Sequence, residues 1–364
     1  MILIILGVVA IIILGMACWD GAFMGTRYNI QKDVYDEEKK VMSKAEFELI
    51  RGGIASASSH NMQPWKIKIV DQKTFSLYAD MEKNLPVIDP KNIQMLMSEG
   101  TFIGSVKEEA KKLGLALDVQ YAPIDLNKEL KLIATFHILG EGENEVDAVS
   151  SATRGVDVDV PMLNQEKILE LTDNSLPGFQ TLWIEEEQKS LFQTYLQKGT
   201  MIEASNQKAM EELLKVFRFT KWEKNQYRYG LSLNTITPPL RMFIEPIVGA
   251  TATWESFGKN SITAFEQRMK NEAGYLVISC ENPKFSDYIR MGEALSQMSL
   301  SIDGFTMRPA VQLIEPLEGM TEVYDEMKEV FDIQGEVVQV IGFTKRENGY
   351  HDSVRHQVMD IIIQ

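Results

Sequence analysis

Ser58-Ser59-His60-Asn61-Met62-Gln63-Pro64-Trp65 joins a helical pattern to a strand pattern through small hydroxyl residues and two side-chain amides. Pro64 fixes φ and stops regular structure. Trp65 opens the strand and can anchor the turn in a core. The result is a rigid loop presenting Ser, Asn and Gln, groups that both donate and accept hydrogen bonds. A planar heterocycle with imide edges needs that mixture. An ordinary helix-to-strand connection with an Asx turn fits the same residues. Upstream, Phe47, Ile50 and Ile54 fall three and four apart and predict a helix over Lys44 to Ala57. Ser43 and Glu46 form a capping box at its start. Downstream, Trp65 to Val70 and Phe75 to Ala79 predict a hairpin closed by Asp71-Gln72-Lys73.

Further out, Ile93 to Leu113 reads as a long helix stopped by Gly114, with strands at Leu115 to Tyr121 and Lys131 to Leu139. Gly140-Glu141-Gly142-Glu143 is an acidic break and sets a half-domain boundary. In the second half, helices are expected around Glu166 to Thr172, from Gln188 to Lys215 and from Asp287 to Ile302. Strands are expected at Ala273 to Cys280 and Val337 to Phe343, and a tail from Asn348 to Gln364. Tyr227 to Gly249 carries several Pro and Gly residues and reads as an extended excursion. Met97-Ser98-Glu99-Gly100-Thr101 and Arg290-Met291-Gly292-Glu293-Ala294 echo one another, each opening a helix with a small, Gly-containing start. Two copies of one half-domain would explain the echo.

Ile2 to Trp19 is an unbroken apolar run without a charge. A membrane span needs roughly 20 such residues, so the run predicts a single-pass transmembrane anchor at the cell membrane. A buried core helix and a cleaved signal peptide are the rival readings. An all-apolar first segment fits hydrocarbon better than a core, and the absence of Lys or Arg before the run opposes a signal peptide. The 364 residues carry a net charge of −15, which argues against nucleic acid as a partner. That charge leaves room for an anionic cofactor held by a few local arginines. Cys18 and Cys280 are not expected to pair, and no Cys or His cluster has metal spacing.

The segment Ser58, Ser59, Asn61, Gln63, Pro64, Trp65 resembles the signature of the FMN-dependent nitroreductase family, and His60 before the Asn resembles its Acg-like branch. Ser76-Leu77-Tyr78-Ala79-Asp80, Leu85-Pro86-Val87-Ile88-Asp89-Pro90 and Ser98-Glu99-Gly100 are similar to the blocks that follow in that branch, where two half-domains are fused. Later blocks resemble it less closely. Thr153-Arg154-Gly155 offers one arginine where the family arm has two. Met307-Arg308-Pro309 resembles the C-terminal core, and Ser353-Val354-Arg355-His356 the phosphate-gripping end.

The resemblance implies an α+β fold: a mostly antiparallel sheet flanked by helices, duplicated within the chain as a monomeric pseudo-dimer. The expected organisation is an anchor over 1–20, a linker over 21–42, and half-domains over 43–142 and 143–364. The implied cofactor is FMN, one per chain, with NAD(P)H as electron donor and a nitroaromatic, quinone or similar small molecule as acceptor. The implied cofactor-binding residues are Ser58, Ser59, His60, Asn61, Gln63, Thr153, Arg154 and Arg355. No residue is singled out as catalytic, because the cofactor carries the chemistry. The alternative is an inactive relative that sequesters its flavin. The stretch 221–253, with Trp222, Tyr227, Tyr229, Pro238 and Pro239, then reads as a lid or as a linker packed on the core. A third reading is a membrane-bound interaction module that no longer takes FMN.

Overall fold

The computed structural model describes residues 2–36, 40–124, 129–141, 163–233, 238–302, 305–310, 312–345 and 354–363. In chain order the first half holds α1 (Ile2–Asp20), α2 (Lys44–Ile54), β1 (Trp65–Asp71), β2 (Thr74–Asp80), α3 (Ile93–Lys112), β3 (Leu115–Tyr121) and β4 (Leu130–Glu141). The second half opens with α4 (Gln165–Ser175) and β5 (Gln180–Ile184). An all-helical block follows: α5 (Glu186–Ser205), α6 (Gln207–Lys215), α7 (Lys221–Tyr227), α8 (Pro238–Thr251) and α9 (Trp254–Met269). It closes with β6 (Glu272–Cys280), α10 (Phe285–Ser301), β7 (Phe305–Pro309), α11 (Met320–Val330), β8 (Glu336–Lys345) and β9 (Ile362–Ile363). The protein is α+β.

The two sheets share one topology. The first has the order β3-β4-β2-β1-β9 and the second β5-β6-β8-β7. Read from the opposite end, β7-β8-β6-β5 repeats β3-β4-β2-β1, and every one of those pairings is antiparallel in both. In each half a helix precedes the first strand and a long helix, α3 or α10, follows the second. The halves differ in two connections. A tight turn joins β1 to β2, whereas α5 to α9 are inserted between β5 and β6. α11 lies between β7 and β8, with no counterpart among the described residues between β3 and β4.

The repeat meets itself at the α3–α10 crossing. A Cβ on Gly100 would sit 2.0 Å from the Ile289 carbonyl oxygen, and one on Gly292 would sit 2.0 Å from that of Met97. The contact is reciprocal, as at an isologous dimer interface. Ser105 and Ser296 hydroxyls meet across it at 2.9 Å. Around this crossing lie separate apolar cores. One contains Phe47, Trp65, Phe75 and Phe136 under the first sheet. The others hold Leu276, Ile341 and Phe343, and Phe192, Tyr275 and Leu213, about the second.

The single-pass anchor is corrected by the structure. Among the described residues no helix is long and apolar enough to cross a membrane. The last turns of α1 pack on protein: Ala17 and Asp20 are buried, and α1 lies along α8. Asp20 accepts from the Lys221 backbone N–H at 3.1 Å, at the exposed-donor end of α7. A run that reads as hydrocarbon-seeking therefore ends in a buried carboxylate seated on the inserted helices. The segment expected as a linker also packs: Ile30 and Met42 are buried in the first core, and Asp33 accepts from the Val358 N–H at 2.7 Å.

Three other expectations change. The excursion over Tyr227 to Gly249 contains α8, because Pro238 and Pro239 open a helix, where proline is tolerated. The helix over Gln188 to Lys215 is two, split at Asn206, whose side chain caps α6 by accepting from Ala209 N–H at 3.0 Å. The tail beyond Asn348 ends in β9, which lies parallel to β1 with Ile67 opposite Ile362.

Candidate functional site

The loop after α2 carries backbone that non-glycine residues rarely adopt. His60, Asn61 and Gln63 have φ of 46°, 54° and 49°. Three left-handed residues in four positions store strain that only a strong surrounding network can hold, a pattern found at ligand sites. That network is present. Ser58 Oγ accepts from Gln63 N–H at 3.0 Å, Ser59 N–H donates to Ser98 Oγ at 3.0 Å, and Ser59 Oγ donates to Gln94 Oε1 at 2.5 Å. The loop is thereby fastened to the first turns of α3.

The two amides of the motif bind the chain itself. Asn61 Nδ2 donates to the carbonyls of Gly230 at 2.9 Å and Val354 at 2.8 Å, and its Oδ1 accepts from Arg355. Gln63, 1% exposed, donates to the carbonyls of Arg228 at 3.0 Å and Val354 at 3.1 Å, and accepts from His356 N–H at 3.0 Å. Together they clamp the segment before β9 and the strand-like stretch after α7 against the loop. Arg355 N–H adds a bond to the Tyr28 carbonyl at 2.9 Å.

Between these pieces lies a cavity of about 500 Å³. Ser58, Ser59, His60, Asn61 and Arg355 all face it; Gln63 lies behind its wall. Thr153 and Arg154 lie outside the described residues. Residues to which the sequence reading gave no role complete the lining: Gln94, Ser98 and Thr101 on α3, Arg268 on α9, Arg308 on β7 and Gln339 on β8. The Met307-Arg308-Pro309 block was visible in the sequence, but nothing in it shows that β7 brings Arg308 to the loop of the other half. Arg268 and Gln339 carry no local signal at all.

The electrostatics are one-sided. Among the described residues, three arginines and no carboxylate line the cavity, in a chain of net charge −15. Arg268 Nε lies 3.2 Å from Glu272 Oε1. Among the described residues, Arg308 and Arg355 have no carboxylate partner. Burial pushes the Arg355 guanidinium down to about 10, so it remains charged at neutral pH. Burial pushes the His60 imidazole down to about 4, so it is a neutral hydrogen-bonding group. Apolar surface comes from Met97, Leu231 and Pro309. The site can take an elongated ligand with an anionic end and a flat part edged by donors and acceptors.

The amide clamp gives a direct test. Gln63→Ala strands the Arg228 carbonyl and the His356 N–H, each worth about 1–3 kcal/mol when left unmet, while the Val354 carbonyl keeps its bond from Asn61. The expected result is a loss of roughly 3 kcal/mol in urea unfolding, with hydrogen exchange accelerated first at 354–363. Unchanged exchange in that segment would show that Gln63 does not hold it.

No protein-family model matches this chain, and no curated protein resembles it closely enough to count as a relative.

Proposed function

We propose that the cavity between the His60 loop, α3 and β7 binds FMN, and that the chain is an FMN-dependent oxidoreductase of nitroreductase type. In this reading electrons pass from NAD(P)H to a nitroaromatic, quinone or similar small acceptor. The observation that carries it is the pair of arginines without carboxylate partners among the described residues, Arg308 and Arg355, facing a cavity whose wall also holds Arg268, His60, hydroxyls, amides and apolar side chains. The cavity volume lies within the range of about 300–1,000 Å³ common for cofactor sites.

The residues present fit the group. A phosphate dianion needs local cations in an acidic protein, and the planar guanidinium fork binds its oxygens bidentately. Ser58, Ser59, Gln94 and Ser98 offer hydroxyls and amides to the polar chain and ring edge. Met97, Leu231 and Pro309 offer apolar surface to a ring face. The motif at 58–65 supports the same reading through its resemblance to the nitroreductase signature. When bound, the flavin would supply the hydride and electron chemistry; the chain's part is to hold the phosphate, orient the ring and restrict water.

One observation favours a second reading, flavin storage without turnover. Gly230, Leu231 and Ser232 form a wall of the cavity, and the Asn61 and Gln63 clamps pin that stretch through the Gly230 and Arg228 carbonyls. A wall fastened in this way limits the approach of a second substrate. Absorbance of the purified full chain separates the two. Yellow protein bleached by NADH or NADPH supports the oxidoreductase. Yellow protein that neither reductant bleaches supports storage. Protein that takes up no FMN rules out both.

The phosphate contacts are tested by comparing FMN with riboflavin, which lacks the phosphate. A charge-assisted hydrogen bond is worth about 1.5–3 kcal/mol. Arg308→Ala and Arg355→Ala are each expected to weaken FMN roughly ten- to a hundred-fold and to leave riboflavin nearly unchanged. Equal losses for both ligands would place neither arginine at the phosphate.

A further inference from the structure

A second cavity, also of about 500 Å³, is lined by α10 and by the end of β3. The repeat of the two halves relates it to the first. Counted from the facing glycines Gly100 and Gly292, residues Gln94, Met97, Ser98 and Thr101 on α3 occupy the positions that Ser286, Ile289, Arg290 and Glu293 occupy on α10. The first four line the first cavity and the second four line the second. The neighbours correspond as well. Ser175, which ends α4, stands for the loop after α2, and Tyr121 and Ala122 at the end of β3 stand for Arg308 and Pro309 at the end of β7.

The chemistry of the two has diverged. Where Thr101 faces the first cavity, Glu293 faces the second, 8% exposed, and its carboxylate already has partners. Tyr121 Oη donates to it at 2.6 Å, and Lys107 Nζ lies 2.5 Å away. Where Ser98 faces the first cavity, Arg290 faces the second. It is held by Asp287 at 3.2 Å and by the Pro177 carbonyl at 3.0 Å. Among the described residues, then, each charged side chain in this lining is neutralised by the chain itself. Nothing there offsets the desolvation of a charged ligand, which is expensive without a partner. What remains is apolar surface from Ala122 and Ile124 above the buried Ile289 and Ala294, with hydroxyls at Ser175 and Ser286 and the amide of Gln297.

We propose that this second cavity is a separate binding site for a small, uncharged aromatic molecule carrying one hydrogen-bonding group. The ring packs on Ala122 and Ile124 over the floor formed by Ile289 and Ala294, and the polar group meets Ser175 or Ser286. The site is the duplicated counterpart of the arginine-lined cavity, with its charges paired off. It does not depend on the first cavity holding FMN.

Calorimetric titration of the full chain with 1-naphthol and with 1-naphthoate tests this, because the two probes share a ring system and differ in charge. One naphthol is expected per chain, with naphthoate bound at least about tenfold more weakly. Saturating FMN should not displace naphthol. Ser286→Trp, in the exposed first turn of α10, and Ala122→Trp, after β3, should each weaken naphthol at least about tenfold. A melting temperature close to that of the parent shows that each variant still folds. Failure of the chain to bind FMN sinks the reading of the first cavity and leaves this one scored by naphthol alone. Absence of naphthol binding, equal affinity for naphthoate, displacement by FMN, or indifference to both tryptophans would each overturn the proposal.

Discussion

Gly100→Ala is expected to destabilise the fold by about 3 kcal/mol, the upper end of the usual penalty for overpacking a well-filled interior. The added methyl would lie 2.0 Å from the Ile289 carbonyl oxygen and 2.9 Å from the Gly292 Cα. Both obstacles are backbone, so no rotamer change relieves them and α3 must move off α10. Gly292→Ala meets the reciprocal obstacle at Met97 and is expected to lose about as much. The double variant is expected to lose clearly less than the sum, since one separation of the helices relieves both clashes. Gly15→Ala is the control, because nothing lies within 4 Å of that position. Urea unfolding of the four proteins decides the matter. Equal midpoints for Gly100→Ala and Gly15→Ala would show that the two helices are not in backbone contact.

The second large effect concerns a pair of buried acids. Glu203 and Glu315 are 7% and 3% exposed, and neither oxygen of Glu315 has a hydrogen-bond partner among the described residues. Burial raises the Glu203 carboxyl to about 7. Burial, and then the charge of Glu203, raise that of Glu315 well above the ordinary 4.5. In the unfolded chain both ionise near 4.5, so above that pH the folded protein keeps protons that the unfolded chain has lost. The contribution of this pair to stability is therefore full below about pH 4.5 and declines as pH rises toward and past about 7. Glu315→Gln removes one titration while keeping the shape. It is expected to flatten the fall in stability between about pH 5 and pH 8, and to exceed the parent at the alkaline end by at least about 1 kcal/mol. Asp89, raised by burial to about 6, contributes a slope of the same sign, so the comparison is between variant and parent at each pH. Identical pH profiles would mean that Glu315 is already solvated or paired.

The first half of the fold was legible because its signals are local. The Ser43–Glu46 capping box starts α2 as expected. The alternation in Trp65 to Val70 matches a strand with one buried face, and Gly114, at φ 63°, ends α3. The second half was read less well because five helices interrupt its sheet. β5 and β7 are five residues each, too short for alternation to stand out. The Pro238-Pro239 pair also reads as a breaker when it is in fact a helix start. At the site, the sequence shows that Asn61 and Gln63 are clustered polar groups. It does not show that their amides are engaged by Val354, Gly230 and Arg228. A hydrogen-bond donor in a motif looks the same whether a ligand or the chain itself answers it. The arginines Arg308 and Arg268 reach the cavity through tertiary packing, which no periodicity encodes.

The clamp between Asn61 and the Val354 carbonyl spans 293 residues of chain, and this sets a schedule. On the ribosome the His60 loop is made early, along with most of the first sheet and its anchors on α3, yet the Asn61 and Gln63 side chains lack their partners until residues 228–356 have emerged. Contacts of such long sequence separation form late, after the loop-closure entropy has been met. A ligand of the arginine-lined cavity can therefore be loaded only onto a chain synthesised through Arg355. Once loaded, it opposes the detachment of β9, so occupancy should govern how quickly a protease finds that end of the protein.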